Sequence, residues 1–254
     1  MARRPIYQVR VAAKDDFSKS LRRIVLQSDS LKSFPQGQEG GYIKLLLPRS
    51  NSPVRANLSP SLVNPADFIK RSYTIVSSDE SAGTLTIDMV RHGDGGPATR
   101  WGEESSLGDE IFITGPGPVK MLSLEADWFF LVGDSAAFPA ILANLRRLSP
   151  SAQGYVIFEI HSDDEQFETH APPGIEVHWL KSDALSASLP QKVRELPWLE
   201  GRVSVWGAAE FSTMKKLRDY FVKEREVPRE DIYISSYWKR GATDEEHKQA
   251  KKSD

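Results

Sequence analysis

The pattern of apolar residues changes near Met121, and this change constrains the fold more than any other feature of the chain. Before Met121, short segments rich in β-branched and aromatic residues are separated by turn formers and by no long helical segment. Such a pattern is typical of a small antiparallel barrel. The predicted strands span residues 6–13, 21–27, 41–47, 71–77, 84–90 and 110–114.

After Met121, continuous apolar runs alternate with amphipathic helical segments. This alternation predicts a parallel, doubly wound sheet with helices on its faces. The predicted strands span residues 128–132, 155–160, 175–180, 203–206 and 231–236, and the predicted helices span 138–148, 191–196 and 208–223. We therefore expect a barrel domain at 1–122, an α/β domain at 123–240 and a polar tail or surface helix at 241–254.

The chain contains no cysteine, which excludes disulfides, a thiol nucleophile and cysteine-ligated clusters. Any redox chemistry must therefore be carried by a bound cofactor. The formal net charge of -2 gives no reason to expect nucleic acid or an anionic membrane as a partner. No apolar run approaches the about 20 residues of a membrane span, and none follows Arg3 and Arg4 as in a signal peptide. The sequence predicts a cytoplasmic protein without a metal site.

Two segments of the first half carry groups suited to a phosphate-bearing cofactor. Residues 71–74 (Arg-Ser-Tyr-Thr) offer a guanidinium for a phosphate and a ring for stacking. On spacing alone, an ordinary strand with polar surface residues explains them more simply. Residues 92–99 combine glycines with a helix start at Pro97, where free N–H groups attract anions. A turn that merely reverses the chain is an equal alternative.

Two segments of the second half end predicted strands. Residues 133–139 place small residues in a strand-to-helix turn, where open α/β sheets bind ligands, but lack the dinucleotide pattern Gly-x-Gly-x-x-Gly. A tight turn with a helix cap is the alternative. Residues 235–241 hold adjacent aromatic and basic side chains that could cover a planar cofactor and attract an anion. An aromatic plug with a basic edge is the simpler explanation.

The order of these segments resembles the ferredoxin–NADP reductase superfamily, and most of all its branch of siderophore-interacting proteins, which are FAD-dependent ferric-siderophore reductases. The residues that carry the resemblance are 71–74, DMVRHGDGGPAT at 88–99 with Trp101, GDSAAFPA at 133–140, YISSYWKRG at 233–241 and Ile43-Lys44-Leu45. It implies a six-stranded antiparallel Greek-key FAD-binding barrel followed by a parallel-sheet nucleotide-binding domain.

The resemblance also implies roles for single residues. Tyr73 would stack on the isoalloxazine, Thr74 would lie near its reactive N5, and Arg71 would hold the pyrophosphate. Family members often have Glu-Thr where this chain has Ser135-Ala136, which weakens the expected contact there. The cofactor-binding residues implied are Arg71, Ser72, Tyr73, Thr74, Asp88, Val90, His92, Gly95, Gly96, Pro97, Ala98, Thr99, Asp134, Ser135, Ala137, Tyr237, Trp238 and Arg240.

The same branch receives anionic iron chelates on basic residues beside the flavin. Lys44 and Lys239 are the candidates that match best, with Lys120 and Arg240 behind them. The donor would be NADH or NADPH; Glu159 and the acidic run 163–165 favour NADH, because an acid there suits a ribose hydroxyl better than a phosphate. A ferredoxin is an alternative donor, and a monomer is expected.

The resemblance predicts that electrons pass from NAD(P)H through flavin to Fe(III), so that iron leaves the siderophore as Fe(II). Two other functions fit the sequence. One is a general flavin- or ferredoxin-type reductase without a preference for siderophores. The other is a ferric-chelate binding protein that keeps the fold without turnover.

Overall fold

The structure, a computed structural model, describes residues 4–16, 18–49, 59–91, 96–182 and 188–253. The chain divides into two compact units, Met1–Val119 and Lys120–Asp254. The first unit consists of strands with one short helix, and the second is a sheet with helices.

The first unit is a closed barrel in which each strand is antiparallel to its neighbours, in the order β1-β2-β5-β4-β3-β6. Its strands are β1 (Ile6–Asp16), β2 (Leu21–Gln27), β3 (Tyr42–Pro48), β4 (Phe68–Asp79), β5 (Thr84–Val90) and β6 (Glu110–Thr114). One helix, α1 (Pro97–Glu104), lies between β5 and β6 in the chain. The predicted six-stranded antiparallel barrel is confirmed.

Alternation along the strands builds the barrel core. On β5, Leu85, Ile87 and Met89 are buried, while the residues between them are half-exposed. Apolar residues at every second position therefore point inwards, and the polar residues between them remain on the outer surface. This alternation determines which of the predicted site residues share a face.

The second unit is a five-stranded parallel sheet in the order β11-β10-β7-β8-β9. Its strands are β7 (Trp128–Asp134), β8 (Gln153–Ile160), β9 (Gly174–Lys181), β10 (Val203–Glu210) and β11 (Ile232–Trp238). Its helices are α2 (Phe138–Leu145), α3 (Leu189–Glu195), α4 (Phe211–Asp219) and α5 (Asp244–Ser253). The predicted parallel sheet is confirmed, and the polar C-terminal segment contains a helix.

The helix predicted over 208–223 is wrong at its start, because Ala208 and Ala209 continue β10. Both residues are fully buried and pair with Ser235 and Ser236 of β11. The tertiary pairing thus overrides the helix propensity of alanine. The helix begins at Phe211 and ends in a π-helical turn, Tyr220–Glu224.

Candidate functional site

Strand β4 divides the Arg-Ser-Tyr-Thr segment between its two faces. Tyr73 lies opposite Ile43 of β3 and packs against the barrel core, and burial raises the pKa of its phenol. Arg71 shares that face, because side chains two residues apart on a strand point the same way. Ser72 and Thr74 belong to the other face. The segment therefore presents a ring and a guanidinium on one face and two hydroxyls on the other.

The outward face of β3 carries Lys44, the candidate substrate-binding lysine. Its neighbours Ile43 and Leu45 are fully buried in the core, so Lys44 points away from the barrel interior. Lys44 lies opposite Ser72, and its Nζ donates to Ser72 Oγ at 2.9 Å. The structure thus places Lys44 and Ser72 on the same barrel face as Thr74.

Asp88 and Val90 share the outward face of β5, since Leu85, Ile87 and Met89 fill the core. The carboxylate of Asp88 is held by Arg23 of β2, whose guanidinium donates to both oxygens at 2.8 and 2.9 Å. Sequence reasoning did not single out Arg23. The β2–β5 register that sets it opposite Asp88 joins strands that are not consecutive in the chain.

The start of α1 has the features of an anion site. Pro97 occupies the first helical turn, and the N-cap residue Gly96 provides no side-chain hydrogen bond. Gly96 therefore has no side chain that could cap the first turn, which includes Ala98 and Thr99, and a phosphate suits the start of a helix. The predicted residues His92 and Gly95 lie outside the described residues.

A network of four charges holds the other end of α1 to the barrel. Arg22 is buried and donates to Asp16, to Glu103 and, at 2.7 Å, to the carbonyl of Gly102. Arg91 bridges the same two carboxylates. Hydrogen bonds from Arg22 and Arg91 lower the pKa of Asp16 and of Glu103, respectively. The helix whose start is the candidate anion site is therefore fixed through its last turn.

Replacing Arg22 with methionine is expected to lower the free energy of unfolding by about 2 kcal/mol, because the buried Gly102 carbonyl loses its donor. The measurement is urea unfolding of the full chain. Arg91→Met is the control, with an expected loss below about 1 kcal/mol, since Arg91 is more exposed and bonds only the carboxylates. Equal losses for the two variants would contradict the role given to the Gly102 bond.

In the second unit, the candidate residues lie where the order of the sheet reverses direction. The strands after β7 add to one side, β8 and β9, and then to the other, β10 and β11. Ligands of open α/β sheets bind at the carboxyl ends of strands at such a point. The backbone there is tight: a Cβ on Gly133 would lie 2.6 Å from both Ala137 Cβ and the Ala208 carbonyl oxygen.

Asp134 ends β7 and connects three parts of this sheet edge. Its carboxylate accepts from the N–H of Ala136 at 3.1 Å, from the backbone of Glu210 and from Trp238 Nε1 at 2.6 Å. Burial and the nearby Glu159 raise the pKa of Asp134 to about 7, against these donors, which favour the ionised form. The hydrogen bond from Trp238 Nε1 to Asp134 fixes the indole at the end of β11.

The side chain of Ser135 is directed into the protein. Ser135 is 3% exposed, and its hydroxyl donates to Glu165 Oε2 at 2.7 Å. The other oxygen of this buried Glu165 accepts from the N–H of His161. Ala137 is fully buried behind the turn. The hydroxyl of Ser135 thus has a structural partner in its own unit.

The residues that follow β11 are held at the same sheet edge. Lys239 Nζ lies 5.1 Å from the centre of the Phe211 ring, and the N–H of Arg240 donates to Glu210 Oε1 at 3.2 Å. Glu210 also caps α4 through the N–H groups of the first turn. Tyr237 packs edge-on against an indole of β10. The structure therefore brings Asp134, Glu210 and the 237–240 segment together.

Lys120, the remaining basic candidate, precedes β7. The backbone carbonyl of Lys120 accepts a hydrogen bond from Trp206 Nε1 at 2.8 Å, and its side chain is exposed. Within the described ranges, no group of three or more acidic or histidine side chains could hold a metal ion. No helix in that part of the chain is long and apolar enough to cross a bilayer.

The groups of the first unit suit a flavin dinucleotide. Arg71 offers a cationic donor, and the first turn of α1 offers N–H groups, of the kinds that suit a pyrophosphate. Tyr73 provides a ring, and Thr74 a hydroxyl on the opposite face of β4. This donor set matches the chemistry of FAD, which carries phosphates and a planar heterocycle.

Comparison with known proteins agrees with this donor set. The profile described as "Siderophore-interacting FAD-binding domain" matches residues 10–120, and that described as "Siderophore-interacting protein" matches 126–241. Ferric vibriobactin reductase ViuB of Vibrio cholerae is 31% identical over 90% of this chain and 87% of its own length. The siderophore-interacting protein SipS from Aeromonas hydrophila is 30% identical with a TM-score of 0.85, covering 98% of each chain. A siderophore utilization protein from T. fusca is 27% identical with a TM-score of 0.78, covering 95% of this chain and 96% of its own.

Proposed function

Because the chain belongs to the siderophore-interacting protein family, we propose that it is an FAD-dependent reductase of ferric siderophores. The observation that carries the proposal is the 31% identity, over 90% of the chain, to a protein named as a ferric vibriobactin reductase. The reaction would take electrons from a nicotinamide dinucleotide and release iron as Fe(II).

The first unit would hold the cofactor. Arg71 and the first turn of α1 would bind the pyrophosphate, Tyr73 would contact the flavin ring, and Thr74 would donate or accept a hydrogen bond near its reactive edge. Bound FAD supplies the conversion between a two-electron donor and a one-electron acceptor. The remaining work of the chain is to bind and orient its two substrates.

Lys44 would attract the anionic iron chelate to the barrel face that carries Thr74. Lys239, Arg240 and Lys120 are the candidates in the second unit. Hard oxygen ligands hold Fe(III) more tightly than Fe(II), so reduction weakens the chelate and frees the metal. Positive charge therefore favours binding of the anionic ferric complex, whereas release of the metal follows from the weaker hold of the oxygen ligands on Fe(II).

We propose NADH as the preferred nicotinamide donor, with Glu159 as the residue that would favour a ribose hydroxyl over a phosphate. Burial raises the pKa of Glu159, the last residue but one of β8, which is the strand next to β7. The acidic run after it has other partners: Asp163 pairs with Lys181 at 2.9 Å, and Glu165 binds Ser135. Rates with NADH and NADPH, each near saturation, test this choice, and Glu159→Gln should reduce the preference.

The central experiment follows Fe(II) captured by a ferrous chelator when the flavin-loaded protein receives NADH or NADPH and a ferric siderophore. Nicotinamide-dependent Fe(II) formation is expected. A yellow protein that NADH, NADPH and a reduced ferredoxin all fail to bleach under anaerobic conditions would favour the binding-protein alternative. Bleaching without iron reduction would favour a general flavin reductase.

A Lys44→Gln, Lys239→Gln double variant is expected to raise KM for an anionic ferric chelate about tenfold, because each of these half-buried charges contributes up to about 1 kcal/mol. KM for a small neutral acceptor should stay unchanged. Lys32→Gln is the control for the loss of one positive charge, because this exposed lysine belongs to another part of the barrel and pairs with Asp29. An equal rise in KM for both acceptors would argue against the siderophore assignment.

A further inference from the structure

The ring of Tyr42, at the first position of β3, has two cations beside it. Arg4 lies with its guanidinium carbon 5.4 Å from the ring centre, and its Nη1 donates to the Tyr42 hydroxyl at 3.1 Å. Lys44 Nζ also lies 5.4 Å from the ring centre. Both distances fall within the range of cation–π attraction.

The ring is held in place by the chain that follows β6. A Cβ placed on Gly117 would lie 2.2 Å from Tyr42 Cζ and 2.3 Å from Cε1, so the glycine packs directly against the ring. The N–H of Gly117 also donates to the Tyr42 carbonyl at 2.6 Å. Only a residue without a side chain allows this approach. Gly117 therefore fixes both the ring and the backbone carbonyl of Tyr42.

This arrangement is not needed to fill the barrel. Tyr42 and Lys44 share the outward face of β3, whereas the residue between them, Ile43, is fully buried. Arg4 is exposed, and no carboxylate in the described part of the chain forms an ion pair with it. Two like charges beside one ring repel each other, and an anion between them would remove that cost.

The register links this cluster to the proposed chemistry. Tyr42 lies opposite Thr74, the residue proposed near the reactive edge of the flavin, and Lys44 lies opposite Ser72. The Tyr42 hydroxyl oxygen accepts from Arg4, so its own hydrogen can be donated to another oxygen. A phenol and two cations are the groups that suit an oxygen-rich anion.

We propose that Arg4, Tyr42 and Lys44 form a receiving site for the anionic ferric chelate, in which Arg4 supplies a second charge and Tyr42 donates a hydrogen bond. The inference rests on the proposed function and deepens it, because it assigns a preference among chelates. A ferric tris-catecholate is a multiply charged anion, whereas a ferric tris-hydroxamate is neutral. The site would select the charged complex.

The test measures binding without reduction, using the gallium(III) tris-catecholate complex, which has the shape and charge of the ferric one but is redox-inert here. Titration calorimetry of the flavin-loaded full chain at low salt is expected to give Arg4→Gln a Kd about fivefold above wild type, since one exposed charge contributes up to about 1 kcal/mol. Tyr42→Phe, which keeps the ring, should raise Kd about threefold by removing the donated hydrogen bond. The neutral gallium(III) tris-hydroxamate should bind all three proteins equally.

Arg10→Gln is the matched control, because Arg10 is an exposed arginine of the same barrel whose guanidinium bonds Gln27. Its Kd should equal that of wild type. If Arg4 serves only in packing, Arg4→Gln would lower the melting temperature but would not change the Kd values of the two gallium complexes by different factors. An unchanged tris-catecholate Kd in Arg4→Gln, an equal loss for the neutral complex, or no binding by wild type would each overturn the inference.

These outcomes separate the inference from the proposed function. A wild-type protein that binds the gallium tris-catecholate with the expected dependence on Arg4 but never reduces the ferric complex supports the site and refutes the reductase. A wild-type protein that reduces the ferric complex, with variants of unchanged affinity, refutes the site and keeps the reductase.

Discussion

An Arg71→Gln variant is expected to purify largely without flavin and to bind added FAD with a Kd about 100-fold higher than wild type. The proposed contact of Arg71 with the pyrophosphate would consist of two charge-assisted hydrogen bonds, each contributing about 1.5 kcal/mol. Their loss corresponds to about two powers of ten in affinity. The ratio of flavin to protein absorbance, followed by fluorescence titration of the apoprotein with FAD, measures the effect.

Two features make this variant informative. The guanidinium of Arg71 donates to the Lys70 carbonyl at 2.9 Å, a bond that the glutamine amide can replace, so the fold should survive. Arg10→Gln removes the same charge from another strand of the barrel and should leave the flavin content unchanged. If Arg71→Gln retains its flavin at the wild-type ratio, the pyrophosphate must be held mainly by the first turn of α1.

Replacing Asp134 with asparagine is expected to remove the loss of stability that the Asp134 carboxyl causes between about pH 4 and 7. In the folded protein, burial raises the pKa of Asp134 from 3.8 to about 7. Over that interval the folded state keeps a proton that the unfolded chain has released, so stability falls as the pH rises and levels off above about 7. At 1.36 kcal/mol per pH unit, the upper bound of this loss is about 4 kcal/mol.

Asparagine removes the charge but matches the surroundings less well. Both oxygens of the protonated carboxyl can still accept from the three N–H groups around Asp134. The amide of asparagine offers one acceptor oxygen and turns its NH2 group, which only donates, towards an N–H donor, at a cost of about 2 kcal/mol. At pH 5 the variant should therefore be less stable than wild type, and near pH 8 the difference should vanish or reverse.

Urea unfolding at several pH values, followed by tryptophan fluorescence, measures both curves. Asp163→Asn is the control, because this carboxylate is 71% exposed and its replacement should shift stability by the same small amount at every pH. Parallel curves for Asp134→Asn and wild type would show that Asp134 is ionised throughout the range in the folded protein.

The elements of this fold were predictable because their patterns are local. Leu85, Ile87 and Met89 alternate with polar residues, and the apolar run Trp128–Val132 indicates a strand buried on both faces. Local patterns fail at Ala208, where the sequence predicts the start of a helix but the structure has a strand. Alanine suits a helix, and only the pairing of β10 with its neighbours makes Ala208 part of a strand.

The partners of the site residues could not be predicted in the same way. The bond between Asp134 and Trp238 joins residues 104 positions apart, and the Arg23–Asp88 pair depends on the register of two strands that are not consecutive. Tyr42 is the exception, because the sequence does indicate which residue shares its face. It stands two residues before Lys44 on a predicted strand, and this spacing alone places both side chains on one face.

The closure of the barrel has a consequence for how the first unit forms. Ile6 pairs with Thr114 and Arg10 with Glu110, so the first strand of the unit is joined to its last. Joining strands about 100 residues apart costs loop-closure entropy before the contacts between them form. Such a barrel is therefore expected to fold more slowly than a sheet in which each strand pairs only with the next one in the chain. During synthesis, the edge of β1 that pairs with β6 stays unpaired until residue 114 has left the ribosome. Capture of FAD is therefore expected to follow completion of the barrel rather than to guide its early steps.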